Sequence, residues 1–189
     1  MKVHVSTFGC SANQASAEAM MAIIRNLGHE LVSEKHADVV VLNTCTVKYS
    51  TEQKILHKIR EMGEKGIEVV VAGCMPEVQL EDIIRNNPDA HILGENSISR
   101  IGEVLNSIAS PDICSQSASR QALHVFSHEP EGFINVPRLR FNSNIHICQL
   151  SHGCNNACSY CIVRFVRRPL RSFHPDSIVK DIEQGIAEG

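Results

Sequence analysis

The sequence has no tryptophan, and aromatic residues fill only 4% of its 189 positions. Its 43% apolar fraction must therefore pack mainly through aliphatic side chains. No apolar run reaches the roughly 20 residues of a membrane span. The opening Met1-Lys2-Val3-His4-Val5 reads as a strand and carries no secretory h-region. Net charge is −3, so no global basic field advertises a nucleic-acid partner, and any basic patch must be local. Cysteine, by contrast, is plentiful. Eight cysteines without a signal peptide point to a reducing cytoplasm, where thiols usually serve metals or catalysis.

The length suits one domain, or one domain plus part of another. Residues 1–109 alternate strand and helix patterns. Val3–Thr7 is the first expected strand, and Ala12 to Leu27 carries helical spacing that Gly28 stops. Val39–Leu42 and Val69–Ala72 are continuous apolar runs, as in parallel strands covered on both faces. Helices are expected near Thr51–Glu64, Gln79–Arg85 and Ser97–Ile108, with a further strand at His91–Leu93. Repeated βα units imply an α/β fold with a doubly wound parallel sheet. Residues 110–140, with Ser110-Pro111, Ser115-Gln116-Ser117 and Glu129-Pro130-Glu131-Gly132, read as a linker. Cys114 falls there and reads as an incidental thiol. Residues 141–189 begin a new unit: a strand over Asn144–Leu150, a cysteine loop, and a helix over Pro175–Ala187. A single βα unit cannot bury its own faces. It belongs to a larger whole, or packs on the first domain or on another chain.

The cysteine loop is Gly153-Cys154-Asn155-Asn156-Ala157-Cys158-Ser159-Tyr160-Cys161. Its C-x3-C-x2-C spacing puts three thiolates in one short loop. A disulfide framework suits a short secreted chain better. Structural zinc usually takes a second C-x2-C pair, which is missing here. A thioredoxin-like C-x2-C would leave Cys154 unexplained. An iron–sulfur cubane normally takes four thiolates, so three leave one iron open for chemistry. Cys148 is an alternative fourth ligand. Its alternating, β-branched surroundings favour a buried strand position instead.

A second set of three has no spacing motif. Cys10, Cys45 and Cys74 each follow an expected strand, in Thr7-Phe8-Gly9-Cys10, Leu42-Asn43-Thr44-Cys45 and Val71-Ala72-Gly73-Cys74. Carboxyl ends of parallel strands share one edge, where ligands bind. The three thiols are therefore expected to converge on a shared metal site, with Gly9 and Gly73 allowing tight turns and close backbone approach. Three separately buried strand-end cysteines are the plainer alternative.

Together these features resemble the radical S-adenosylmethionine methylthiotransferases over nearly the whole chain. Thr7-Phe8-Gly9-Cys10-Ser11-Ala12-Asn13-Gln14, Asn43-Thr44-Cys45 and Ala72-Gly73-Cys74-Met75-Pro76-Glu77 look like the family's three amino-terminal motifs, and Gly153-Cys154…Cys161 like its radical signature. Ser11-Ala12-Asn13-Gln14 and Val47-Lys48-Tyr49-Ser50-Thr51 are most similar to the archaeal and eukaryotic branch. That branch methylthiolates threonylcarbamoyladenosine, at C2, beside the tRNA anticodon.

The resemblance implies two [4Fe-4S] clusters, S-adenosylmethionine as cofactor, tRNA as substrate and an external reductant. Cys154, Cys158 and Cys161 would hold the radical cluster, and Cys10, Cys45 and Cys74 the auxiliary one that carries the methylthio group. Tyr160 would pack near the adenine. The catalytic residues are not implied. The resemblance also implies that residues 141–189 are the first βα unit of a radical-enzyme barrel. The rest of that barrel and an RNA-binding domain would lie outside these 189 residues, so the chain alone would lack full activity. Arg168-Pro169 stands where the family usually has glycine after the first arginine. Arg164, Arg167, Arg168 and Arg171 form the one concentrated basic patch, a candidate contact for tRNA phosphates. The rival readings are the same chemistry on another tRNA adenosine or on a ribosomal protein residue, and a non-catalytic iron–sulfur protein.

Overall fold

The computed structural model describes residues 1–109, 122–127, 134–167 and 169–188, so Cys114 and Arg168 lie outside the described residues. Six strands form one sheet: β1 (Lys2–Thr7), β2 (Glu30–Leu31), β3 (Val39–Thr44), β4 (Glu68–Gly73), β5 (His91–Gly94) and β6 (His124–Val125). Their order is β2-β1-β3-β4-β5-β6, and every pairing is parallel. The helices between them are α1 (Ser11–Asn26), α2 (Tyr49–Glu64), α3 (Met75–Val78), α4 (Leu80–Asn86) and α5 (Ile101–Ala109).

Period-two side-chain alternation divides the strands between two cores. Val3, Val5, Val39, Val41, Val70 and Ala72 pack with Met20 and Ile24 of α1 and Val104 and Leu105 of α5. Val40, Leu42, Val69 and Val71 pack on the opposite face with Ile55, Ile59 and Met62 of α2 and Ile83 of α4. A sheet covered on both faces explains why β3 and β4 read as unbroken apolar runs. The doubly wound expectation is therefore met.

The chain passes from β1 outward to β2 and then returns to β3 on the other side of β1. This reversal is a topological switch point, and in open α/β sheets it leaves a crevice at the strand carboxyl ends.

Past the sheet, β7 (Ser151–His152) and β8 (Arg171–Ser172) make a short antiparallel ribbon around the cysteine loop and α6 (Val163–Val166). The last helix, α7 (Pro175–Ala187), begins where expected. Pro175 takes its first position, and the His174 ring accepts from the Asp176 backbone N–H at 3.3 Å.

The segment 134–150 joins α7 to the sheet unit. Leu139 N donates to Glu18 O at 3.0 Å, and Phe141 N to Glu18 Oε1 at 3.2 Å. On its other side Asp181 of α7 accepts from Asn135 N at 2.9 Å and faces His146 Nε2 at 2.9 Å. Arg138 Nη2 stands 3.5 Å from Asp181 Oδ1, and Arg138 Nη1 donates to Ile147 O. Arg140 Nη2 donates to Gly185 O at 2.8 Å and to Glu188 Oε2 at 3.0 Å.

Three expectations are corrected. The strand predicted over Asn144–Leu150 does not form, because among the described residues no strand lies beside it and an unpaired strand leaves its ladder groups unsatisfied. Cys148 is accordingly half-buried in an irregular stretch beside Asp181, not buried in a strand core. The helix predicted from Ser97 is a 3-10 turn over Glu95–Arg100 that leads into α5. In addition, the stretch read as a linker supplies β6, which extends the sheet beside β5.

Candidate functional site

Cys10, Cys45 and Cys74 follow β1, β3 and β4, three adjacent strands, and so stand along one stretch of the sheet's carboxyl edge. Cys10 and Cys45 flank the switch point. The local backbone explains how they come close. Gly9 has φ +119°, and a Cβ there would sit 2.8 Å from Cys45 Cβ and 3.1 Å from Cys45 Sγ. Gly73 has φ +88°, and a Cβ there would meet Asn43 Oδ1 and, at 2.8 Å, Thr44 O. Both positions need glycine for conformation and for space. What approaches these two backbones is the end of β3 between them: Cys45 on one side, and Asn43 and Thr44 on the other.

A buried polar lattice fixes the edge. Asn13 Nδ2 donates to Thr44 O at 2.9 Å, while Asn13 Oδ1 accepts from Cys10 Sγ at 3.3 Å. Cys74 N donates to Thr44 O at 3.1 Å, and Met75 N to Thr44 Oγ1 at 3.2 Å. Asn43 Nδ2 donates to Asn13 O at 2.6 Å and to Ser16 Oγ at 3.0 Å. Asn13 and Thr44 therefore tie all three cysteine turns into one unit. Both residues lie in the motifs quoted above, but nothing in their spacing assigned them this role.

Burial drives the Cys74 thiol far above its ordinary range. Glu95, Cys45 and Cys10 push it the same way, and only Arg167 opposes. In the metal-free chain Cys74 is a neutral thiol. A bound cation would deprotonate it, as coordination does for thiols generally.

The second set lies in a loop that folds onto this edge. Gly153, φ +90°, turns the chain out of β7 into Cys154. Cys161 N donates to Cys158 O at 3.2 Å, and Asn156 N to Cys154 Sγ at 3.4 Å. Cys154 is exposed, and Cys158 and Cys161 are half-buried. Tyr160 is 90% exposed, with its ring free of the core.

Helix α6, just after Cys161, packs against α3, just after Cys74. Arg167 at the end of α6 reaches back with Nη2 to 3.8 Å from Cys10 Sγ. The two cysteine sets are thus neighbours, which their sequence separation conceals.

The basic patch divides by role. Arg164 Nη1 braces the loop through Ala157 O at 2.9 Å, and its guanidinium stacks 4.6 Å from the Phe165 ring centroid. Arg167 serves the sheet edge, and Arg171 is exposed in β8.

Among the described residues, no three of histidine, cysteine, aspartate and glutamate are grouped to hold a single metal ion. An iron–sulfur cluster makes a different demand, since each thiolate binds a different iron. The donor chemistry fits such a cluster: three thiols on one edge in mutual electrostatic range, three more in one loop, and all seven described cysteines free.

Fold and site together define a doubly wound α/β domain whose sheet carboxyl edge carries thiols and is flanked by a three-cysteine loop. Residues 2–94 match the model of the Uncharacterized protein family UPF0004. Over its whole length the chain is similar to proteins named as tRNA methylthiotransferases. It is 33% identical over 191 residues to a "Probable threonylcarbamoyladenosine tRNA methylthiotransferase" of Methanothermobacter thermautotrophicus, with 100% of this chain and 43% of that protein covered. It is 30% identical over 189 residues to the "Threonylcarbamoyladenosine tRNA methylthiotransferase" of Drosophila melanogaster, covering 100% of this chain and 34% of that one. A "tRNA-2-methylthio-N(6)-dimethylallyladenosine synthase" of Fervidobacterium nodosum is 27% identical over 187 residues, covering 97% of this chain and 41% of that protein. The chain therefore spans less than half the length of these relatives.

Proposed function

We propose that this chain is the amino-terminal part of a tRNA methylthiotransferase that acts on threonylcarbamoyladenosine by radical S-adenosylmethionine chemistry. One observation carries the reading: the loop with Cys154, Cys158 and Cys161 folds beside the edge with Cys10, Cys45 and Cys74, with Arg167 joining them. Insertion of a methylthio group at a C–H bond needs two functions in one place, hydrogen abstraction and sulfur delivery. Two adjoining three-thiolate sites answer that need, and the relatives' names support the substrate.

Cys154, Cys158 and Cys161 would hold one [4Fe-4S] cluster, and Cys10, Cys45 and Cys74 the other, each with an iron left without a protein ligand. When bound, these clusters supply one-electron reduction of S-adenosylmethionine and a carrier for the methylthio sulfur. The chain's own residues do the positioning. Asn13 and Thr44 hold the sheet-edge thiols in register, Arg164 braces the loop, and the exposed Tyr160 is available to cover an adenine. Cysteine-rich sites and a tRNA substrate support a cytoplasmic setting, with a cellular reductant as partner.

A second target is favoured by one finding: the Fervidobacterium nodosum relative is named for dimethylallyladenosine. Two adjoining three-thiolate sites serve either modified adenosine, because the same insertion at a C–H bond is required of both.

The test is anaerobic reconstitution with iron and sulfide counting. The chain takes up about eight irons, and Cys10→Ala takes up about half. S-adenosylmethionine perturbs the electronic spectrum of the loop cluster, as an electron carrier with four protein ligands per cluster would not show. Uptake near four irons refutes the two-site reading. Assayed beside a chain extended to the relatives' length, these 189 residues give little or no methylthiolated tRNA by nucleoside mass spectrometry, because groups must be held in near-attack geometry to react.

A further inference from the structure

Among the described residues of the cysteine-loop segment, Arg167 brings its guanidinium against a sheet-edge thiol. Its backbone N–H closes α6 by donating to Val163 O at 2.8 Å, and the chain then leaves the helix in extended conformation. That exit carries the guanidinium back over the sheet edge. Arg167 Nη2 stands 3.8 Å from Cys10 Sγ. Its Nε is buried and, among the described residues, has no acceptor. A buried N–H donor without a partner costs free energy, so a site that leaves one beside sulfur ligands is built to receive an acceptor.

We propose that Arg167 is a positioning residue of the sheet-edge site, holding the cysteine loop against it and setting the reduction potential of the group that Cys10, Cys45 and Cys74 bind. The proposal rests on the reading of these thiols as cluster ligands. Net charge and hydrogen bonds to sulfur are the levers a protein has on such a potential. A fixed cation favours the state with the added electron. An N–H aimed at sulfur does the same. Nη2 is placed for the Cys10 sulfur, and Nε is free for a second acceptor. Arg167 thereby makes the sheet-edge group easier to reduce than its bare thiolates would. A lysine keeps the charge but loses the fork of donors.

The test uses Arg167→Gln and Arg167→Lys, each in the parent and in a Cys154→Ala background that leaves only the sheet-edge site to load. In the metal-free parent, Cys10 is alkylated by anionic iodoacetate and by neutral iodoacetamide, and peptide mass spectrometry gives the rate ratio. That ratio falls roughly fivefold in Arg167→Gln, the scale of one unit charge at about 4 Å in high dielectric. It is largely retained in Arg167→Lys. After reconstitution in the Cys154→Ala background, an EPR-monitored redox titration gives a more negative midpoint for Arg167→Gln, with Arg167→Lys between it and the parent. An unchanged labelling ratio in Arg167→Gln overturns the proposal, and so does an unchanged midpoint. A parent that takes up no iron counts against the cluster reading alone, because the labelling ratio still decides what Arg167 does.

Discussion

Removing the Asp181 carboxylate by Asp181→Ala tests how the last helix is held. Asp181 is 1% exposed and is the acceptor on which segment 134–150 converges. Its oxygens take the Asn135 N–H at 2.9 Å and face His146 Nε2 at 2.9 Å and the Arg138 guanidinium at 3.5 Å. The Cys148 thiol is also hydrogen-bonded to it. Arg138 has a side chain only 2% exposed, so the alanine variant leaves a buried guanidinium without its carboxylate. Breaking a buried pair from one side costs roughly 3–5 kcal/mol. The loss should be local, because the two sheet cores contain no residue of α7.

Native-state hydrogen exchange is the assay. Amides of α7 should lose protection in Asp181→Ala, while those of β1, β3 and β4 keep theirs. The double variant Asp181→Ala/Arg138→Met should recover part of the loss, since it also removes the buried charge that faced the lost carboxylate. The pH dependence has a definite sign. Burial raises the Asp181 pKa, but the Asn135 and His146 hydrogen bonds and the Arg138 charge outweigh it and leave it below the ordinary aspartate value. A depressed folded pKa gives stability that is present above the unfolded value, near 3.9, and lost as pH falls through the folded one. Protection of α7 should therefore decline on acidification below about pH 4, and should do so less in Asp181→Ala. Equal protection of α7 in parent and variant at neutral pH would refute the reasoning.

Gly73→Ala should lower the thermal midpoint of the metal-free chain and cut iron uptake by about half. The positive φ costs a non-glycine residue about 1–3 kcal/mol, and the new Cβ meets the Thr44 backbone at 2.8 Å, which displaces Cys74; unchanged iron content would count against it. Cys148→Ser should keep full iron content and change stability in denaturant melts by no more than about 1.5 kcal/mol, because a hydroxyl can donate to Asp181 in the thiol's place. Loss of the loop cluster in that variant would make Cys148 a ligand.

The sheet was legible because its physics is local. Strands buried on both faces must be continuously apolar, so Val39–Leu42 and Val69–Ala72 declared themselves, and Gly28 marked where the first helix stops. The grouping of Cys10, Cys45 and Cys74 followed from one rule, that parallel strands end on one edge. The C-x3-C-x2-C loop needed only its own spacing. Pro175 announced the start of α7.

Tertiary structure decided the rest. Asn144–Leu150 has strand propensity, but a ladder needs a neighbour, and the segment instead faces α7 through His146 and accepts from Arg138 at Ile147 O. The helical pattern of Pro175–Ala187 gives Asp181 no role; only the fold of 134–148 around it makes it a buried acceptor. The approach of Arg167 to Cys10 spans 157 positions and was invisible in a run of four arginines. Sequence periodicity records which face of an element is buried. It does not record which distant side chain arrives there, and that choice is made by packing between elements.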